Sequence, residues 1–172
     1  MDKVAQDLHV LAEEIGDVLK QKRWMLVTAE SITGGSISQC ITDIPGSSEW
    51  FDCGLVTYSN ASKTGFLEVP DALIAQFGAV SEEVAAAMAT GALAHSATDV
   101  ALSTTGIAGP TGAVPGKPVG TVCFGWATAK SVVTERLIFQ GDRYAVRTQT
   151  TVHALKGLLR LLINSQALHD QK

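Results

Sequence analysis

The chain has 172 residues, 46% of them hydrophobic and 17% charged, with a formal net charge of −4. This is enough apolar side chain for one buried core, and it excludes a largely disordered chain. The acidic balance excludes a broad polyanion-binding surface, so nucleic acid is not an expected partner, whereas a small anion needs only a local cluster of donors.

Val4, Leu8, Leu11, Ile15, Val18 and Leu19 recur at helical spacing and predict a first helix over Asp2–Gln21. This segment is amphipathic and carries acids, unlike a secretory leader. The apolar run that follows predicts a buried strand, Trp24–Ala29. It leads into Thr28–Gly35, "TAESITGG", where an acid, a hydroxyl and then two glycines interrupt the apolar pattern at Glu30, Ser31 and Gly34–Gly35. "SISQCITDI" resumes helical spacing and stops before Pro45, and "IPGSS" is turn chemistry. A second strand is predicted over Cys53–Tyr58, followed by a turn into a short helix through "SNASKTGFL". Pro70 opens another short helix ending near Phe77, and Ser81 caps an alanine-rich helix over Glu82–Ser96.

The third strand is predicted over Val100–Thr105, and then comes "GIAGPTGAVPGKPVG", a loop holding five glycines and three of the five prolines. "GTVCFGWATA" and "SVVTERLIFQ" read as a hairpin turning at Ala129–Lys130, and Asp142 caps a last helix over Arg143–Ala167. Strands separated by helices pair in parallel. The expected fold is therefore α/β: one domain, a three-layer α/β/α sandwich with a mixed five-stranded sheet.

No apolar run is long enough to cross a bilayer. Cys40, Cys53 and Cys123 are odd in number and widely spaced, without metal-ligand spacing. They read as buried thiols of a reducing compartment. No metal or cofactor is expected, and a cytoplasmic location is.

Ligand sites in open α/β sheets lie beyond the carboxyl ends of the strands, which is where Glu30–Gly35 falls. Backbone N–H groups at a helix start favour negative charge, and glycines let a ligand approach the backbone. A hydroxyl there can be a nucleophile with N–H groups stabilising an oxyanion; equally, Ser31 or Thr33 can be a helix cap and Gly34–Gly35 a packing device. A serine nucleophile needs a base. His9, His95, His153 and His169 are poorly placed, at the termini or on helices. Lys63, shortly after the second strand, can serve if burial keeps its amine neutral; its alternative is a solvated lysine. Tyr58 can relay a proton or simply end its strand. Thr104, Thr105 and Gly106 offer further donors, though Thr105 can equally form a turn, and Gly109–Pro110 reads as plain loop chemistry. Arg143 and Arg147 share a face in the first turns of the last helix, where the dipole disfavours cations. That placement suggests either a bound phosphate or a salt bridge to an acid such as Asp142.

The stretches "TAESITGG", "DIPGSSEWF", "GLVTYSNASK", "GAVSEEVA", "TGIAGP" and "KPVGTVCFGWA" occur in one order along nearly the whole chain. Together they closely resemble the CinA C-terminal domain family, which includes bacterial nicotinamide mononucleotide amidohydrolases. The resemblance implies a sandwich similar to the class II synthetase anticodon-binding fold, in the stand-alone form. It also implies hydrolysis of a nucleotide carboxamide to acid and ammonia by a Ser/Lys pair without a metal. On the motifs, Ser31 is the implied nucleophile, Lys63 the base and Tyr58 an assisting residue. Glu30, Ile32, Thr33, Gly34, Gly35, Thr105, Gly106, Gly109, Arg143 and Arg147 are the implied substrate contacts. Arg147 is expected to hold the phosphate, and Glu30 to orient Lys63 or bind ribose. Ile32 stands where the family usually has Cys, and Thr111 and Ala113 replace an acid and a glycine. The alternative reading, resting on those three positions, is a non-catalytic nucleotide-binding relative. A small-molecule nucleotide is the expected partner, with no membrane, in a homo-oligomer using the first and last helices.

Overall fold

The computed structural model describes residues 3–167. The predicted Asp2 start of the first helix and His169 lie outside them. In chain order the elements are α1 (Lys3–Lys22), β1 (Leu26–Glu30), α2 (Ser36–Thr42), β2 (Phe51–Val56), α3 (Asn60–Leu67), α4 (Asp71–Phe77), α5 (Glu82–Ala94), β3 (Val100–Gly106), β4 (Thr121–Thr128), β5 (Ser131–Ile138) and α6 (Arg143–Ala167). One 3₁₀ turn, Ser47–Glu49, begins inside the stretch read as turn chemistry and ends one residue past it.

The sheet runs β2-β1-β3-β4-β5. β1 pairs in parallel with both β2 and β3, and β3–β4 and β4–β5 are antiparallel. The sheet is thus mixed and five-stranded, as the element order implies. The side chains that alternate along each strand sort into two cores. Leu26, Val100, Leu102, Val122, Phe124 and Trp126 face α1, α2 and α6. Val27, Ala29, Ala101 and Ala127 face α5, with Met88 and Ala89 at its centre. The second face is built of small residues. Ser103 donates to the Ala85 carbonyl at 2.6 Å, and a Cβ on Gly125 would stand 2.6 Å from the same carbonyl oxygen. A helix of alanines therefore lies directly on the strands.

This topology fixes where a site can form. The crossover from β1 to β2 carries α2 on one face of the sheet. The crossover from β2 back to β3 carries α3, α4 and α5 on the other. The connections diverge at the carboxyl end of β1, and such a divergence opens a crevice beyond the strand ends. The next residues in the chain are Ser31–Gly35.

Among the described residues, no helix is long and apolar enough to cross a membrane. The three cysteines are free thiols; Cys123 is buried and the other two half-buried. Burial pushes the Cys40 and Cys123 thiols up to about 11.

Candidate active site

Strand alternation separates the two polar residues that end β1. Glu30 shares the face of Leu26 and Thr28 and turns toward α2, while Ser31, next along, turns toward α3. The Ser31 N–H continues the β1–β3 ladder by donating to the Thr104 carbonyl at 3.0 Å. Its side chain is 8% exposed.

α3 delivers the amine. Ser59 caps it in a reciprocal box: its hydroxyl accepts the Ser62 N–H at 3.0 Å, and the Ser62 hydroxyl accepts the Ser59 N–H at 3.1 Å. Lys63 follows within the first turn. Helical side chains lean toward the N-terminus, so the stem of Lys63 runs back under the exit of β2. Its Nζ donates to the carbonyl of Thr57 at 2.9 Å and more loosely to that of Tyr58 at 3.4 Å, and stands 3.0 Å from Ser31 Oγ. Lys63 is only 1% exposed. Burial lowers its pKa from 10.5 to about 8. The two carbonyls can only accept. A neutral amine that gives its two hydrogens to them presents its lone pair to Ser31 Oγ, the geometry for taking the hydroxyl proton.

Ser31, Lys63, Ile32, Tyr58, Thr105, Gly106 and Arg143 line one cavity of about 250 Å³. Thr105 donates to the Ala79 carbonyl at 2.7 Å, which fixes the Ala79–Val80 wall. Tyr58 is 65% exposed at the mouth, and its hydroxyl accepts from Arg143 at 3.2 Å. Arg143 also donates to the Gly109 carbonyl at 2.8 Å, so Gly109 holds the arginine in place. Asp142 caps α6 by accepting the Ala145 N–H at 2.8 Å and makes no ion pair with either arginine among the described residues.

Six expected contacts do not line this cavity: Gly109, which holds Arg143, Gly34, which lies against the Arg147 guanidinium, and Glu30, Thr33, Gly35 and Arg147. Glu30 is fully buried, and its carboxylate accepts the N–H groups of Gly35, Ile37 and Ser38 at 2.9, 3.1 and 2.8 Å and the Ser38 hydroxyl at 2.6 Å. It neither orients Lys63 nor faces the cavity, because its strand parity sends it to the α2 side. Gly35, in the left-handed region at φ 97°, has its N–H occupied by that carboxylate and starts α2. Thr33 is buried and bonds Thr104 through their hydroxyls at 2.9 Å. Arg147 donates from Nε to the Ile32 carbonyl at 3.1 Å and from NH2 to the Thr33 carbonyl at 2.9 Å. It borders a separate cavity of about 400 Å³ between α1, α2 and α6, away from Ser31.

Sequence reasoning did not foresee that the Thr57 and Tyr58 carbonyls grip the lysine, nor that Asn60, Ala79, Val80 and Ala108 complete the cavity. Backbone acceptors carry no residue-type signal. The four lining residues sit in the quoted "TYSNASK", "GAVSEE" and "TGIAGP" stretches, which were the available clue. Among the described residues, no group of three or more His, Cys, Asp or Glu side chains is arranged to hold a metal ion.

The CinA C-terminal domain model matches residues 8–162. The chain is 52% identical over 154 residues to a Pseudomonas putida protein named nicotinamide-nucleotide amidohydrolase PncC, covering 90% of this chain and 96% of that one. It is 50% identical over 153 residues to the Escherichia coli K12 protein of the same name, covering 88% and 93%. Among solved structures, the competence damage-inducible protein A of Klebsiella pneumoniae superposes with a TM-score of 0.88 at 35% identity, covering 91% of this chain and 97% of that one. The competence/damage inducible protein CihA of Agrobacterium tumefaciens superposes with a TM-score of 0.87 at 38% identity, covering 90% and 95%.

Proposed function

This chain belongs to the CinA C-terminal domain family, and we propose that it hydrolyses the carboxamide of nicotinamide mononucleotide to nicotinic acid mononucleotide and ammonia through Ser31 and Lys63. The observation that carries the reading is the buried Lys63 amine 3.0 Å from the Ser31 hydroxyl, in a cavity at the carboxyl end of β1. The names of the P. putida and E. coli relatives support the amide-hydrolysing activity and the nucleotide substrate.

Neutral Lys63 takes the Ser31 proton as Oγ bonds to the amide carbon, and backbone N–H groups of the Ile32–Gly34 turn hold the oxyanion. The Gly35 N–H, expected among these donors, is left out because Glu30 occupies it. As the C–N bond breaks, the proton on Lys63 passes to the departing nitrogen and ammonia leaves. Water then attacks the acyl-enzyme, with Lys63 taking its proton and returning it to Ser31. Tyr58 at the mouth orients the pyridine end of the substrate, and Arg143 holds the phosphate. Remote binding energy then positions the amide against Ser31. Ile32 retains its place behind the nucleophile, since the oxyanion contact needs its backbone and not a thiol.

The test is ammonia release from nicotinamide mononucleotide by the wild type and by Ser31→Ala and Lys63→Ala. Each substitution is expected to lower kcat by about a thousandfold or more while circular dichroism stays native. A Ser31→Ala variant keeping most of its turnover would remove the nucleophile. Calorimetric binding of the nucleotide by the wild type without ammonia release would mark a binding module instead.

A further inference from the structure

We propose that Arg147 is a positioning residue that aims the oxyanion donors behind Ser31, and that it is not a ligand of the substrate phosphate. This deepens the reading above and rests on Ser31 being the nucleophile. Two nitrogens of one rigid guanidinium grip two successive carbonyls, those of Ile32 and Thr33, at 3.1 and 2.9 Å. In a trans peptide the N–H points opposite to the carbonyl of the same plane. With both carbonyls turned to α6, the N–H groups of Thr33 and Gly34 are directed away from α6. That is the side of the sheet on which Ser31 meets Lys63 of α3.

The hydrogen bonds around the turn agree. The Ser31 N–H is held by the Thr104 carbonyl, and the Gly35 N–H by Glu30. Between them, the N–H groups of Ile32, Thr33 and Gly34 have no acceptor among the described residues. Unpaired backbone donors directly after a nucleophile are the material of an oxyanion site. A cation on the carbonyl side also polarises the same peptides, because charge-assisted bonds strengthen the donors in line with them. The guanidinium lies tight against the turn: a Cβ on Gly34 would stand 3.3 Å from its NH2. One turn further along α6, Thr151 shares a 2.7 Å hydrogen bond with Ser36, the first residue of α2. This second tether keeps the segment docked when Arg147 is changed. Arg147 borders the other cavity, whereas Arg143 lines the one that holds Ser31, so the arginine placed to meet an anion beside Ser31 is Arg143.

The experiment uses the full chain as Arg147→Met, Arg147→Lys and Arg143→Met, each checked by thermal melt. Three readouts are taken: kcat and KM for nicotinamide mononucleotide, inhibition by ribose 5-phosphate, and the rate at which a small sulfonyl fluoride labels Ser31 with no nucleotide present. Arg147→Met is expected to lower kcat and the labelling rate together by about a hundredfold or more, leaving KM and ribose 5-phosphate inhibition within about threefold. Arg147→Lys, which keeps the charge but loses the fork, recovers part of both rates. Arg143→Met raises KM and loses the inhibition. If Arg147→Met does not fold, Arg147→Lys carries the comparison. An Arg147 variant that labels at the wild-type rate but loses ribose 5-phosphate inhibition overturns this proposal alone. A wild type whose Ser31 neither labels nor turns over overturns this proposal together with the serine reading.

Discussion

In the proposed reaction, Lys63 is where a single residue decides the chemistry. An ordinary lysine at pH 7 has only about three amines in ten thousand unprotonated, whereas a pKa of about 8 leaves roughly one in ten. Burial thus supplies a few hundredfold more base without any change of residue type. The sign follows from the direction of the shift. The neutral form grows as pH rises, so kcat/KM is expected to climb about tenfold per unit below pH 8 and to level above it. A rate that stays flat from pH 6 to 9 would remove Lys63 from the proton path. The same burial costs stability. Between a folded value near 8 and an unfolded value of 10.5, the unfolded chain binds a proton the folded chain has lost. Unfolding free energy therefore rises with pH across that window. The identity of Lys63 as a candidate base was legible from its place after a strand. Its lowered pKa was not, because burial by Thr57, Tyr58 and the cavity wall is a property of the assembled fold.

At the scale of elements, α2 illustrates how local rules were met by an unexpected partner. The sequence offers hydroxyls for capping at Ser31 and Thr33, yet the residue at the cap is Gly35, which has no side chain to give. The orphan donors of the first turn instead meet Glu30, a strand residue whose two carboxylate oxygens accept four hydrogen bonds from Gly35, Ile37 and Ser38. This clamp ties the exit of β1 to the start of α2 and closes the turn that carries the proposed oxyanion donors. Glu30→Gln keeps the shape but turns an amide N–H against backbone N–H groups. We expect it to cost about 2–3 kcal/mol of stability and to lower turnover with little change in KM. Thermal melts and steady-state kinetics check this; wild-type stability in that variant would show that the charge is not what holds the turn. The helices and strands themselves were predicted to within two or three residues of their observed ends. Apolar spacing and turn residues act locally, which is why Asp142, Ser81 and Pro70 marked helix starts correctly.

For the molecule as a whole, the sheet is a wall shared by two cores. Leu102 on one face and Ala101 on the other belong to the same strand, so neither core can open without disturbing the other's backing. Unfolding is expected to be a single transition. Met88, fully buried where α5 meets the sheet, is the place to test this. Met88→Ala should cost about 2–5 kcal/mol. It should also shift the urea midpoint equally by circular dichroism and by tryptophan fluorescence, although Trp50 and Trp126 lie in the opposite core. Separate midpoints for the two probes would show that the faces unfold independently.

The sequence by itself determined the layered α/β architecture, the number of its strands and the succession of elements along the chain, and the family. Hydrophobic period, caps and motif spacing are properties of neighbouring residues, and they survive in one dimension. It also placed Ser31 and Lys63 as candidates at strand exits. The partnerships were decided only in three dimensions. Strand parity sent Glu30 to α2 and Ser31 to α3, and the divergence of crossovers at β1 opened the cavity. The pitch of α6 put Arg143 beside Ser31 and its neighbour Arg147, four residues on, behind the turn. Two arginines that look equivalent along the chain differ because one turn of helix carries them to different walls, and only the packing of α6 says which wall each one meets.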